Sequence, residues 1–333
     1  MTIEYIEGFD RANTYASLVL RGWFGTNTAW VAVTGRNSQG SALRKTAGGE
    51  AFLDRVLPGG AKASRVIGVA VRVNGLTSGY RLVSLVDGAN EQLILATSGT
   101  GALEVKRGST TLGTSAIIWS NPTGLGVWKY VEFVTTIHNS TGSYAVYVDG
   151  VSVLSGSGID TQDTANASAN TLRIGFNGAS LTDLDDMYVG DTRLGERRVV
   201  SLDMTSDSAV AWTRSTGATN YGTIDDNPLD ATDYNEATAA SLRDQFGMAN
   251  LSYTPQSIDA VAVNYVHNKQ DSGARTIRAG IVSGGSTGNG ATVSPLLTTN
   301  AFQQDIFATD PNTGVAWSKA GVDAAEPFYE TVT

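Results

Sequence analysis

The chain has 333 residues, 41% of them hydrophobic, with 38 glycines, 7 prolines and no cysteine, which excludes global disorder, zinc–thiolate centres and cysteine nucleophiles and fits folding in a reducing cytoplasm. Its net charge of −9 is uneven: residues 1–195 carry 15 Lys/Arg against 16 Asp/Glu, and residues 196–333 carry 8 against 16. The clustered Lys/Arg that phosphate binding needs are missing, so nucleic acid is excluded as a partner, and the acidic surplus reads as ordinary solubility.

The first residues show no basic-then-apolar leader, and no apolar run approaches the roughly 20 residues needed to cross a bilayer, so no membrane partner is expected. IEYIEGFDR, within residues 1–11, reads as an opening strand running into a turn at Asp10. A Gly-punctuated segment follows, in which Ser41–Arg44 forms a short strand. Arg65–Val73 alternates Val and Ile with smaller or polar residues. Further strands fall at 80–88, 91–99, 102–108 and 111–116, a spacing of 8 to 12 residues that predicts a sandwich or jelly roll.

Residues 128–155 carry the clearest pattern. Three β-rich runs are separated by turn signals at Asn139–Ser143 and at Asp149-Gly150, the second favouring a tight hairpin. Val131, Phe133 and Ile137 share one face of the first run, and Tyr144, Val146 and Val148 share one face of the second. After a hydrophilic loop at 158–170 come a strand at 172–178 and a last one at 181–191, expected beside residues 6–10.

A domain boundary near Thr192–Arg198 gives two all-β, jelly-roll-like sandwich domains, 1–194 and 195–333. The second starts with 197–204 and AVAWTRSTG and passes an acidic loop at 223–238. It then shows strands at 257–269 and 274–285, read as a pair joined by an Asp271-Ser-Gly turn. One or two strands, a DPNTG turn and a closing strand complete it. Only residues 318–326 have the makings of a helical turn or two.

Asp183, Asp185 and Met187 occupy alternate positions of one strand. A glycan hydrolase would place three acids on such positions; here the third is Met187, and Asp186 points the other way. Carboxylates at these places are expected to cap the sheet edge or to bind turn amides. His138 and His267 lie in strands near turns, outside any serine elbow, and two histidines are too few for zinc. Gly284, Gly285, Gly288 and Gly290 lack the following helix of a phosphate loop. Calcium is the one ion the sequence suggests, at the crowded oxygen ligands Asp225, Asp226, Asp230 and Asp233, with Asn227 among them, although the spacing is not that of an EF-hand. No other cofactor is expected. A sugar platform would need an exposed aromatic. Trp23 and Trp30 stand in open Gly/Asn-rich surroundings, and Trp128 reads as core.

FDR at 9–11, SALR at 41–44, residues 127–150 and DLDDMYVGD at 183–191 together resemble the laminin-G-like, concanavalin A-like jelly rolls of tailed-bacteriophage virion proteins. AWTRSTGATNYGTIDDNPLDATDY, GARTIRAGIVSGG and DIFATDPNTGVAW are similar to the domain that follows that jelly roll in such proteins. The resemblance implies a structural, non-enzymatic virion surface protein made in the host cytoplasm: a capsid decoration protein, fibre or tail component. It implies docking to other virion proteins and a homo-oligomer, most naturally a trimer. The alternative is a lectin-like module for host surface polysaccharide.

Overall fold

The computed structural model describes the chain except residues 12–13, 27–29, 47–49, 77–79, 122, 124, 177–181 and 228–230. It is all-β, with two short helices among the described residues, and divides into two compact units, Met1–Val200 and Ser201–Thr333.

The first unit opens with β1 (Ile3–Glu7), α1 (Tyr15–Leu20), β2 (Trp23–Gly25), β3 (Trp30–Thr34), β4 (Ser41–Lys45) and β5 (Ala51–Val56). It continues through β6 (Ser64–Val73), β7 (Tyr80–Asp87), β8 (Asn90–Thr97), β9 (Ala102–Arg107) and β10 (Thr110–Ile117). The remaining strands are β11 (Trp128–Thr136), β12 (Gly142–Val148), β13 (Val151–Ile159), β14 (Thr171–Phe176) and β15 (Thr182–Gly190). They form a jelly-roll-type sandwich. One sheet runs β13-β12-β11-β6-β15-β4-β3, with β1 also on β15; the other runs β10-β9-β8-β7-β14-β5-β2.

The central meander has the expected register, with Val131 opposite Val148, Phe133 opposite Val146 and Thr135 opposite Tyr144. Asp149 and Gly150 both take positive φ, 48° and 82°, as a two-residue hairpin requires. Val131, Phe133 and Val146 are sealed in the core. β1 pairs antiparallel with β15, Glu7 opposite Met187, as the sequence suggested.

Alternation leaves the other face of β6, β11 and β15 outside the sandwich, yet it too is partly apolar. Val66, Ala70, Tyr130 and Tyr188 cluster there with Leu194 and Val134. The chain after β15 crosses this face. The Leu194 amide donates to the Tyr188 hydroxyl (2.9 Å), the Gly195 amide to Glu132 (2.7 Å) and the Val199 amide to Asp186 (2.8 Å). These bonds explain why the first unit extends to Val200 instead of ending at 194.

The helix α1 was not foreseen. It has six residues, too few to display a helical period, and rests on a capping box in which Thr14 Oγ1 accepts from the Ser17 amide and Ser17 returns the bond.

The second unit contains β16 (Met204–Ala209), β17 (Thr213–Arg214), β18 (Asn235–Glu236), β19 (Arg243–Met248) and β20 (Val261–His267). After these come β21 (Ile277–Ser283), β22 (Ser286–Asn289), β23 (Ala301–Phe307), α2 (Lys319–Asp323) and β24 (Glu326–Thr331). A five-stranded sheet, β16-β19-β24-β21-β22, is accompanied by the ribbons β17–β18 and β20–β23. Ile281, Trp317, Val322 and Ala325 form the core between that sheet and the β20–β23 ribbon, against Val261, Val263 and Phe307.

The expected pairing of β20 with β21 is wrong. β20 pairs with β23, Val261 opposite Phe307, and β21 turns into β22 through Gly284-Gly285. Both glycines have positive φ, 53° and 85°, so this two-residue turn supplies the tight hairpin. The Asp271-Ser-Gly segment is a turn in a longer connection, closed by the Gly273 amide on Asp271 Oδ1.

Candidate functional site

The outer face of the β15 sheet gathers a cluster of charged groups. Register places Trp128 (β11) opposite Arg72 (β6), Arg72 opposite Asp183 (β15), Asp183 opposite Arg44 (β4) and Arg44 opposite Val31 (β3). Residues directly opposite share a face, so these five form one row across five strands. Their neighbours Val71, Val73, Leu184 and Leu43 point into the core, which fixes the row outside.

Asp183 is fully buried in this row and is surrounded by donors. Arg44 binds it through Nε (2.5 Å) and Nη2 (2.9 Å), Arg72 through Nε (2.6 Å), and the Asn74 amide through Nδ2 (3.3 Å). Its ion-pair partners keep 25% (Arg44) and 22% (Arg72) of their side-chain surface. The bond to Asp183 raises the Arg44 pKa above its ordinary value. Arg72 stacks on the Trp128 indole at 4.7 Å, and Trp128 is half-buried. Trp128 stands on an outward strand position, where it packs against the Val66, Ala70, Tyr130 and Tyr188 cluster, so the core reading holds in part. Trp23 and Trp30, taken as candidates for exposure, are core residues.

One step along β15 the strand bulges. Its register with β6 shifts between Asp185 and Tyr188, and Asp186 sits at φ 50°. The extra residue sends Met187 into the core, so Asp183, Asp185 and Met187 do not share a face. Asp185 accepts from the amides of Arg36 (2.7 Å) and Asp186 (2.8 Å). Asp186 accepts from Arg36 Nε (2.7 Å) and from the Val199 amide. Both carboxylates therefore bind backbone amides, as expected of them. Burial, then the charge of Asp186, pushes Asp185 up to about 8. Burial also raises Asp186, and the Arg36 ion pair works against it. Asp185 therefore gives up its proton only well above the ordinary carboxylate range. Further along the face, Glu132 accepts from Tyr188 (2.7 Å) and Arg193 (2.7 Å).

The remaining sequence candidates lie elsewhere. His138 Nδ1 accepts from the Ser140 and Thr141 amides, both at 3.1 Å, and so closes a turn. His267 is partly buried in β20, and desolvation lowers its pKa. Asp230 lies outside the described residues. Among the described residues, no group of three or more His, Cys, Asp or Glu side chains that could hold a metal ion forms, at Asp225, Asp226 and Asp233 or anywhere else.

The Trp–Arg–Asp–Arg row is the site that sequence reasoning missed. A partial signal was there: Arg72 interrupts the apolar run of β6 at an outward position, and a charge so placed needs a partner.

No family model matches the chain, and no curated protein sequence matches it. Solved structures similar to it include the alginate lyase vAL-1 from Chlorella virus, at 8% identity over 57% of this chain and 100% of that one, with a TM-score of 0.45. The globular domain of T. cruzi calreticulin is 14% identical over 58% of this chain and 89% of its own, TM-score 0.39. Domain 4 of an extracellular arabinanase from Geobacillus stearothermophilus, in complex with arabinotriose, is 17% identical over 56% of this chain and 91% of its own, TM-score 0.39. At these identities and TM-scores, no residue role or chemistry passes from them to this chain.

Proposed function

We propose that the chain is a non-catalytic surface component of a tailed-bacteriophage particle, a capsid decoration protein, fibre or tail-associated protein that docks to other virion proteins as a homo-oligomer, most naturally a trimer. The phage assignment rests on the sequence resemblance. The non-catalytic reading rests on one observation: the three β15 carboxylates are already committed, Asp183 to two guanidinium groups and Asp185 and Asp186 to amides and Arg36. An acid–nucleophile pair needs carboxyl groups open to the substrate. Mass spectrometry of purified particles from the genome that encodes the chain tests the assignment. Hundreds of copies per particle are expected for a capsid role and a handful for a tail role; absence from the particle contradicts it.

A second reading, a lectin-like module for host surface polysaccharide, is favoured by the half-buried Trp128 on an outer sheet face beside two partly exposed arginines. A glycan array with the full chain separates it from docking alone: specific retention of host-type glycans supports it, and no retention leaves the docking role by itself.

A further inference from the structure

Asp183 places two guanidinium groups side by side and locks both. The fork of Arg44 closes on its two oxygens, and Arg72 Nε and Asn74 Nδ2 both add bonds to Oδ2. Three guanidinium nitrogens, Arg44 Nη1 and both Nη of Arg72, are not used in these bonds, and both side chains reach solvent. Two cations around one anion leave a local charge of +1 on a rigid support. Such a pair is preorganised, because the rotamer entropy of two long side chains is already spent in the fold.

We propose that Arg44 and Arg72, held by buried Asp183 and flanked by Trp128, bind the carboxylate group of an acidic saccharide. The charge balance favours a singly charged group over a phosphate dianion. The planar donors of arginine suit a carboxylate, and the part of the Trp128 indole that Arg72 and the neighbouring apolar cluster leave exposed adds apolar surface for a sugar ring. The row is also long enough for an oligosaccharide: four interstrand steps from Trp128 to Val31 cover about 19 Å. Asn74, half-buried beside it with its Nδ2 bound to Asp183 and the Arg72 carbonyl, has a side-chain oxygen to accept from a hydroxyl. This inference rests on the lectin-like reading and assigns it a site and a ligand class.

Isothermal titration of the full chain tests it, with tetrasaccharides of galacturonate, mannuronate and hyaluronan, their carboxyl-reduced forms, and dextran sulfate. At least one uronate is expected to bind, with its reduced form weaker by about tenfold or more. Arg72→Gln and Arg44→Gln are each expected to lose about tenfold for the same ligand. Each variant leaves one guanidinium on Asp183 and so keeps the fold, which thermal melting checks. Trp128→Ala, which removes no charge, is expected to weaken acid and reduced forms alike. Equal binding of acid and reduced forms would overturn the carboxylate assignment while leaving the lectin reading intact. Equal binding of dextran sulfate and the uronates would reduce the site to unspecific charge attraction and overturn it. Binding of none of these saccharides would overturn the site assignment, while the glycan array decides the lectin reading.

Discussion

The two units solve the same problem with different materials. In Met1–Val200, strands run to ten residues, and most of the described buried hydrophobic side chains belong to this unit. In Ser201–Thr333 the strands are shorter and the apolar core contracts to a small set that includes Phe246, Ile281 and Phe328. Carboxylates take over as struts there. Buried Asp244 accepts from the amides of Ala211 (2.6 Å) and Trp212 (2.8 Å), from Asn220 Nδ2 (2.7 Å) and from the Tyr329 hydroxyl (3.0 Å). Asp207 holds the amides of Asn220 and Tyr221, Asp323 holds that of Leu251, and Glu330 lies between Arg243 and Arg278. Some of the second half's acidic residues therefore serve as structural struts, beyond the solubility that composition suggested. A small domain with little apolar area to bury depends more on satisfied polar networks.

The largest effect expected from this contrast is at Phe133, fully enclosed between the sheets of the first unit. Phe133→Ala should cost about 3–5 kcal/mol through lost burial and the cavity left behind. Urea unfolding should show the first unit's transition moving and the second's standing still; a joint shift would mean that the units do not unfold separately.

Asp244→Ala should do the reverse. Stranding two amides, an amide side chain and a phenol should cost the second unit about 3 kcal/mol. A loss below about 1 kcal/mol in the same urea measurement would break the claim that polar struts replace core there.

A smaller effect follows from Asp185. Its folded pKa, about 8, lies above the value of about 3.9 for an unfolded carboxyl, so the folded state binds the extra proton. The stability it contributes is full below about pH 4 and is lost as pH rises through about 8. The first unit should therefore weaken between pH 5 and pH 9, while Asp185→Asn, neutral throughout, should show a flatter profile. An unchanged slope in the variant would assign the proton to another group.

The sequence carried the meander, its inward faces, the β1–β15 pairing and the absence of long helices, because period-two alternation and Asp-Gly turns are local signals. It did not carry the bulge at Asp186, which no glycine marks. It misassigned β20 and β21, since adjacency in the chain is a default that only register overrides, and Gly284-Gly285 proved the stronger turn. The Trp128–Arg72–Asp183–Arg44 row joins positions up to 139 residues apart, so only the assembled sheet brings it together. Asp230 and its acidic neighbours stand out by crowding one loop of the sequence, whereas buried Asp183 draws its meaning from the arginines across the strand.

The central claim is that the β15 carboxylates support binding without turnover. Its most direct test incubates the full chain with β-glucan and polygalacturonate and measures new reducing ends and unsaturated products by mass spectrometry. The account predicts no product above a protein-free control over a day. Cleavage that disappears on Asp183→Asn or Asp185→Asn, with the fold intact, would contradict it.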